Sequence, residues 1–279
     1  MVEVWLVELE QAATALEADE RRCSHLSADD LGHIAGLNHP QLRRQRRLST
    51  IALRVLIAAF TGSNQFASVP IVRLPGGKPV LPGAPFSFSV SHAAGRALIA
   101  LSPGDFVGVD IERQRALRMS APRQAALIEA ANALPLVPDA SVIEKLSPDR
   151  VGAALAGDRV LRAWVRLEAL AKLDGAGMAR LLTAAGVLGR RFEAVDGARD
   201  GRADAGAQTR RSTLDWPGSF MQAGFAIQDL ALPDDPSGSA WYAALAAPAG
   251  HLRSHAVHVR RFPADPLELM RPTPGIANG

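Results

Sequence analysis

The chain has 279 residues, 48% of them hydrophobic and 21% charged, a balance typical of folded globular proteins. This length predicts one large domain or two small ones and excludes a small disulfide scaffold. The only cysteine is Cys23, which excludes an internal disulfide, a Cys-rich zinc site and a CxxC redox pair. The formal net charge of +3 and the pI of about 9.6 predict a mild preference for acidic partners.

The N-terminal segment and the hydropathy of the chain bear on its location. Glu3 and Glu8 stand where a signal peptide needs a basic end and a longer apolar core. No apolar run approaches the ~18 residues that span a bilayer, since Arg54 interrupts the run at 51–60. We therefore expect a cytoplasmic protein without a membrane partner, and we expect a monomer.

The first part of the chain predicts a strand, a long helix and a hairpin. Alternating apolar residues indicate a strand over 2–7, and the periodicity of 41–60 indicates a helix closed by Gly62. A Gly- and Pro-rich loop (LPGGKPVLPGAP) follows. Residues 86–91 and 96–101 are strand-like and are joined by a turn of small residues, so they predict a hairpin.

The second part of the chain repeats the order of strand, long helix and paired strands. The predicted elements are a strand at 106–111, helices at 121–133 and 158–173, and strands at 220–230, 240–247 and 255–262. This repetition predicts an α+β fold with two similar halves, 1–104 and 105–262, related by a pseudo-twofold duplication. A segment at 189–215 and a tail at 263–279 are predicted to be loosely ordered and to carry no chemistry.

Two acidic residues end the predicted strand GVDIE. Alternation places Asp110 and Glu112 on one face of the strand, with Val109 and Ile111 on the other. Paired carboxylates are typical ligands of a hard cation such as Mg²⁺, which completes its shell with water and substrate phosphate. The alternative is an acidic strand end that faces solvent.

A second pair of charged residues lies on the helix predicted at 158–173. Trp164, Glu168 and Lys172 are spaced i, i+4, i+8 and therefore share one helix face. A carboxylate one turn before an ammonium can act as a metal ligand or base beside a phosphate-binding cation. The alternative is a surface ion pair that stabilises the helix by roughly 0.3–0.5 kcal/mol.

The segment FSVSH places Ser89 and Ser91 on one strand face and His92 at the start of the turn. Neighbouring Ser and His side chains point apart in a strand and no GxSxG motif is present, so hydrolase chemistry is disfavoured. Hydroxyl and imidazole groups at a strand end can bind phosphate, with Lys78 as a nearby loop cation. The alternative is that these residues serve only the turn.

Arginines are concentrated on the first long helix, at Arg43, Arg44, Arg46, Arg47 and Arg54. Such a helix can bind nucleic acid or a phosphate-rich small molecule. Aromatic residues make up only 5% of the chain and no nucleic-acid-binding motif occurs, so we expect no nucleic-acid partner. A solvated basic face is the alternative to a phosphate site.

In chain order, GKP (77–79), FSVSH (88–92), GVDIE (108–112) and WVRLEALAKLDGAGM (164–178) resemble the signatures of the 4′-phosphopantetheinyl transferases of the surfactin-synthetase-activator type. That family has two similar α+β halves with coenzyme A and Mg²⁺ in the cleft between them. The resemblance implies three sets of site residues. The metal-binding acids are Asp110, Glu112 and Glu168. The residues that contact the phosphates of coenzyme A are Lys78, Ser91, His92 and Lys172, and Asp110 belongs to the same cofactor site. The residues that contact the 3′-phosphate of coenzyme A are Arg43, Arg44 and Arg47.

The resemblance further implies the transfer of the phosphopantetheine arm of coenzyme A to a serine of an acyl or peptidyl carrier protein. Mg²⁺, or Mn²⁺, neutralises the pyrophosphate; Glu168 accepts the serine proton and Lys172 stabilises the departing phosphate, so these two are the expected catalytic residues. Which of fatty acid, polyketide or nonribosomal peptide biosynthesis is served stays open.

The chain departs from the family pattern at two positions. Leu167 stands where the family commonly has Lys, and Ser89 where it has Asn. Leu167 lies about 100° around the helix from Glu168, so the pair Glu168 and Lys172 keeps its geometry without that Lys. An alternative function is a non-catalytic basic protein that keeps the fold and binds a carrier protein or nucleic acid.

Overall fold

The structure is a computed structural model that describes residues 1–66, 69–104, 106–137, 155–175, 177–188, 224–233, 235 and 238–270. These residues form a mixed fold of helices and mainly antiparallel sheets, which confirms the predicted α+β class. The segment 189–215, predicted to be loosely ordered, lies outside the described residues, as do residues 271–279 of the predicted tail. None of the described helices is long and apolar enough to cross a lipid bilayer.

Strands and helices are numbered here in chain order. The strands are β1 (Glu3–Glu8), β2 (Val72–Arg73), β3 (Pro79–Val80), β4 (Phe86–Ala93), β5 (Arg96–Pro103), β6 (Gly108–Arg113), β7 (Phe225–Asp229), β8 (Trp241–Pro248) and β9 (Val259–Arg261). The helices are α1 (Leu9–Arg22), α2 (Ala28–Ala35), α3 (Pro40–Thr61), α4 (Ala121–Asn132), α5 (Leu155–Asp174), α6 (Met178–Ala184) and α7 (Ala249–Ser254). Short 3₁₀ turns occupy Asn64–Phe66 and Pro266–Met270.

Most of the predicted elements are present, and two helices near the N-terminus were not predicted. The predicted long helix is α3, which ends at Gly62 in the left-handed conformation (φ +62°) that favours glycine. The predicted hairpin is β4–β5, and the helix predicted at 158–173 is α5. The two helices that were not predicted, α1 and α2, fill the interval between β1 and α3.

Two sheets carry the fold. A four-stranded sheet has the order β4-β5-β1-β9, in which β9 runs parallel to β1 and the other neighbours are antiparallel. A three-stranded antiparallel sheet has the order β6-β8-β7. The strand β9, from the predicted C-terminal half, therefore completes the sheet that begins at the N-terminus. The 3₁₀ turn Pro266–Met270, in the predicted flexible tail, packs beside α1 and α3.

Alternation along the strands sorts their side chains into layers. One face of each sheet contributes to a shared core, which contains Leu6, Leu98, Val109 and Leu245. The other face of the four-stranded sheet packs against α1 and α3, and the other face of the three-stranded sheet packs against α4 and α5. Because Val109 and Ile111 enter the shared core, Asp110 faces α5.

Gly108 allows α5 to approach β6 closely. A Cβ atom on Gly108 would lie 2.0 Å from the carbonyl oxygen of Ala169 and 2.4 Å from the amide nitrogen of Leu173. No other residue type fits in this space, since the atoms that it would meet belong to the helix backbone. The close approach brings Lys172, which lies between those two contacts, next to β6.

Gly108→Ala is therefore expected to destabilise the protein by more than about 2 kcal/mol, because overpacking that displaces backbone costs ~1–3 kcal/mol or more. Denaturant unfolding measures this loss. Gly32→Ala is the matched control, since a Cβ atom at that position in α2 meets nothing within 4 Å. The control should be neutral or stabilise by up to about 1 kcal/mol, as expected for Gly to Ala in a helix. Equal stability of the two variants would contradict the close approach.

Candidate active site

Three charged residues from β6 and α5 lie side by side. The Lys172 ammonium donates to Asp110 Oδ1 at 2.6 Å and lies 3.6 Å from Glu168 Oε1. Glu168 and Lys172 are one helical turn apart, and Asp110 reaches them because its strand face points at α5. The structure thus joins residues of two separate sequence motifs in one cluster.

Two serines lie on one face of β4, as the alternation predicted, and this face meets β6 at the cluster. Ser91 Oγ donates to Asp110 Oδ1 at 2.7 Å. Ser89 Oγ accepts a hydrogen bond from the Val109 amide at 3.1 Å. Both serines are buried, and their hydrogen bonds attach β4 to β6 beside the Asp110 carboxylate.

The two departures from the family pattern are packing residues in this structure. Leu167 is fully buried in the core between α5, α4 and the three-stranded sheet. Ser89 serves the backbone of β6 through its bond to Val109. Neither side chain displaces Glu168 or Lys172 from the cluster.

Asp110 is the most enclosed group of the cluster. Its residue is 2% exposed, and its Oδ2 atom is buried without a hydrogen-bond partner. Burial raises the pKa of Asp110 to about 7; Lys172 opposes this shift and the Glu168 carboxylate adds to it. The short bond to Lys172 by itself lowers this pKa, but burial outweighs it because Oδ2 is enclosed without a hydrogen-bond partner.

Glu112 lies near the cluster, but its carboxylate forms an ion pair with an arginine. Arg115 binds it in a bidentate manner, with Nη2 2.6 Å from Oε1 and Nε 3.0 Å from Oε2. The pKa of Arg115 is raised first by this hydrogen bond, and the charges of Glu168 and Asp110 raise it further. All three acids therefore act on the charge of Arg115, and Glu112 would bind a metal only after releasing Arg115.

The donor set of the cluster meets part of what Mg²⁺ needs. Within the described part of the chain, no three His, Cys, Asp or Glu side chains lie close enough together to hold one metal ion. The unpartnered Oδ2 of Asp110 and the oxygen of Glu168 nevertheless fit a hard cation, which takes oxygen ligands and keeps several waters. In this structure the Lys172 ammonium supplies the positive charge between them.

A cavity of about 270 Å³ adjoins the cluster through Lys172. Its wall includes four cations, Arg46, Arg73, Lys78 and Lys172, and the glycines Gly76 and Gly77. Burial lowers the pKa of Arg46, and the charge of Arg73 lowers it further. Two guanidinium groups that repel each other in a partly dry cavity favour an anionic ligand.

The two arginines that line the cavity, Arg46 and Arg73, differ from those implied by the resemblance. Arg43, Arg44 and Arg47 do not line it, and Arg44 binds Glu10 of α1 at 3.1 Å instead. Arg46 projects from the side of α3 that also carries the cavity residues Thr50 and Leu53. Arg73, the last residue of β2, was not predicted as a site residue because it is a single arginine outside any motif.

Lys78 and His92 are near the cluster in different environments. The Lys78 ammonium donates to the carbonyl oxygen of Leu173 at 2.6 Å and lies 4.4 Å from the centre of the Phe106 ring. Burial lowers the pKa of Lys78 to about 8. Burial also lowers the pKa of His92, with Arg46 and Lys172 adding to the shift, so its imidazole is neutral at pH 7.

A scan of the chain against protein-family models and a search of curated proteins found no match.

Proposed function

We propose that the protein is a 4′-phosphopantetheinyl transferase, which moves the phosphopantetheine arm of coenzyme A to a serine of an acyl or peptidyl carrier protein. The observation that carries the proposal is the cluster of Asp110, Glu168 and Lys172 at the end of a cavity lined by cations. A polyanionic substrate fits the cavity, and a carboxylate beside an ammonium fits proton removal next to a phosphate.

The reaction is a displacement at phosphorus. The hydroxyl oxygen of the carrier serine bonds to the β-phosphorus of coenzyme A, and the bond from that phosphorus to the 3′,5′-ADP oxygen breaks. The serine proton goes to Glu168, which is 27% exposed and so is open to an incoming hydroxyl. The ammonium of Lys172 stabilises negative charge on the departing phosphate.

The two arginines of the cavity wall bind the phosphates of coenzyme A. Arg46 and Arg73 both line the cavity, and neither forms an ion pair among the described residues. We assign the 3′-phosphate to these two arginines in place of Arg43, Arg44 and Arg47. Bidentate guanidinium contacts suit a phosphate better than a single ammonium does.

Asp110 and Glu168 would hold Mg²⁺ or Mn²⁺, together with Glu112 once it has left Arg115. When bound, the metal neutralises the charge of the pyrophosphate. Lys172 would then turn from Asp110 to the phosphate, and Ser91 would keep Asp110 in place through the bond to Oδ1.

The layered fold supports the two-half arrangement that this function implies. Each large sheet has helices on its outer face, and the cluster lies where β4 of one sheet meets β6 of the other. We propose that the halves arose by duplication and that the active site lies in the cleft between them.

A non-catalytic binding protein is the second candidate, because Lys172 and Arg115 already neutralise the carboxylates that a metal would need. Mass spectrometry of apo acyl and peptidyl carrier proteins, after incubation with the protein, coenzyme A and Mg²⁺, separates the two functions. Addition of the phosphopantetheine arm to the carrier serine, lost when the metal is chelated, supports the transferase. Stable binding of the carrier without any addition of mass would support the second candidate and contradict the first.

A further inference from the structure

We infer that Lys78 is a positioning residue that caps the C-terminal end of α5 and thereby holds Lys172 in place, and that it does not contact the phosphates of coenzyme A. The inference rests on the proposed function for the reaction that Lys172 serves. The contact between Lys78 and α5 can be tested without that function.

The ammonium of Lys78 is bonded to the helix end. Nζ donates to the carbonyl oxygen of Leu173 at 2.6 Å, one residue after Lys172. The last four carbonyl groups of a helix have no partner within the helix, and a positive charge there interacts favourably with the helix dipole. Lys78 supplies both the donor and the charge for the last turn of α5.

The path of the Lys78 side chain is enclosed. The residue is 5% exposed, and the ring of Phe106 lies 4.4 Å from Nζ. Gly175 packs directly on its stem, since a Cβ atom at Gly175 would lie 2.9 Å from Lys78 Cβ. To contact a phosphate in the cavity, the ammonium would have to give up or share its bond to the Leu173 carbonyl.

The neighbouring cations of the cavity are bound differently. Arg73 is exposed and donates to the carbonyl oxygen of Gly77 at 3.0 Å, within its own loop. Arg46 projects from α3, and neither arginine has a contact with α5 in the hydrogen bonds of the described residues. Lys78 is thus the cation through which the Gly76–Gly77 loop is tied to the helix that bears Glu168 and Lys172.

Lys78→Met keeps the length of the stem and removes the ammonium. We expect amide hydrogen exchange in the last turn of α5 to become at least about tenfold faster, as local opening becomes easier. The dissociation constant of coenzyme A should stay within about twofold, while the rate of transfer at saturating coenzyme A falls by about tenfold or more. Arg73→Met is the matched control, which should weaken coenzyme A binding and leave this exchange at the wild-type rate.

Other outcomes overturn the inference. A Lys78→Met variant that binds coenzyme A about tenfold more weakly, with unchanged exchange in α5, would show that Lys78 is a phosphate contact. If that variant does not fold, Lys78→Arg replaces it. If Lys78 is a phosphate contact, the Lys78→Arg variant keeps its affinity for coenzyme A and the wild-type exchange rate in α5. If Lys78 caps α5, the larger guanidinium does not fit this enclosure and exchange in the last turn of α5 becomes faster. If the wild-type protein transfers nothing, the proposed function fails, and the exchange measurement still decides whether Lys78 caps α5.

Discussion

Asp110→Asn is expected to make the metal-free protein more stable at neutral pH and to abolish transfer. The folded protein holds the carboxyl proton more tightly than the unfolded chain, because burial raises the pKa from 3.8 to about 7. The stability of the wild-type protein therefore falls as the pH rises between these two values. Asparagine carries no such proton, so the stability advantage of the variant grows through this pH range and is complete above it.

The loss of activity has a separate cause. Asparagine keeps one oxygen near Ser91 and Lys172 but removes the negative charge that would hold a metal ion and orient the ammonium. We expect a loss of at least about 10²-fold, the scale of removing one principal electrostatic group from an active site.

Thermal unfolding in a chelating buffer across the pH range, together with the carrier-modification assay, measures both effects. Glu268→Gln, which removes an exposed carboxylate far from the cluster in the chain, is the control and should change neither. A folded Asp110→Asn protein with near-normal turnover would contradict the metal assignment.

Glu168→Gln is expected to lower single-turnover transfer by at least about 10²-fold, the low end of general-base effects, with a smaller change in coenzyme A binding. Glutamine keeps the size and the hydrogen-bonding capacity of the side chain but cannot accept the serine proton. Single-turnover rates and coenzyme A titrations separate the two quantities.

Lys172→Ala should lower both the rate and the affinity for coenzyme A, because the ammonium lines the cavity and also adjoins Glu168. If Glu168 and Lys172 formed only a surface ion pair, each substitution would cost under about 1 kcal/mol of stability and leave the rate unchanged. Unchanged rates in Glu168→Gln would overturn the proposed mechanism.

Periodicity predicted which side chains of the central cluster share a face, and the resemblance, not periodicity, implied that the two faces form one site. The two-residue period of GVDIE and the spacing of Glu168 and Lys172 each place charged groups on one face. The structure adds Gly108, whose missing side chain lets those two faces meet. From the sequence, Gly108 was visible as part of the motif, but its contact with α5 depends on tertiary packing.

Partners of charged side chains could not be predicted in the same way. Arg115 lies three residues after Glu112 and binds it, and Lys78 reaches a carbonyl group of a helix almost a hundred residues later in the chain. The contact of Lys78 depends on how elements pack, whereas the contact of Arg115 is a local i, i+3 pair that the alternation of the strand did not reveal. Helical spacing could have shown which residues of α3 share a face with each arginine. Arg46 shares its face with Thr50 and Leu53, and all three line the cavity.

The missed helix α1 also had a signal in the sequence. Its buried residues include Leu9, Ala12, Ala13 and Leu16, the i, i+3, i+4, i+7 pattern of an amphipathic helix. Acidic residues and the small size of alanine weaken that pattern, and no N-cap side chain marks the start after β1.

The parallel pairing of β9 with β1 has a consequence for folding during synthesis. Val4 pairs with Val259, so the hydrogen-bonding edge of β1 stays open until nearly all of the described chain has left the ribosome. An open strand edge of this kind is prone to pair with other chains. A fragment that ends near residue 104 would keep that edge permanently, and we expect it to aggregate instead of forming an independent unit.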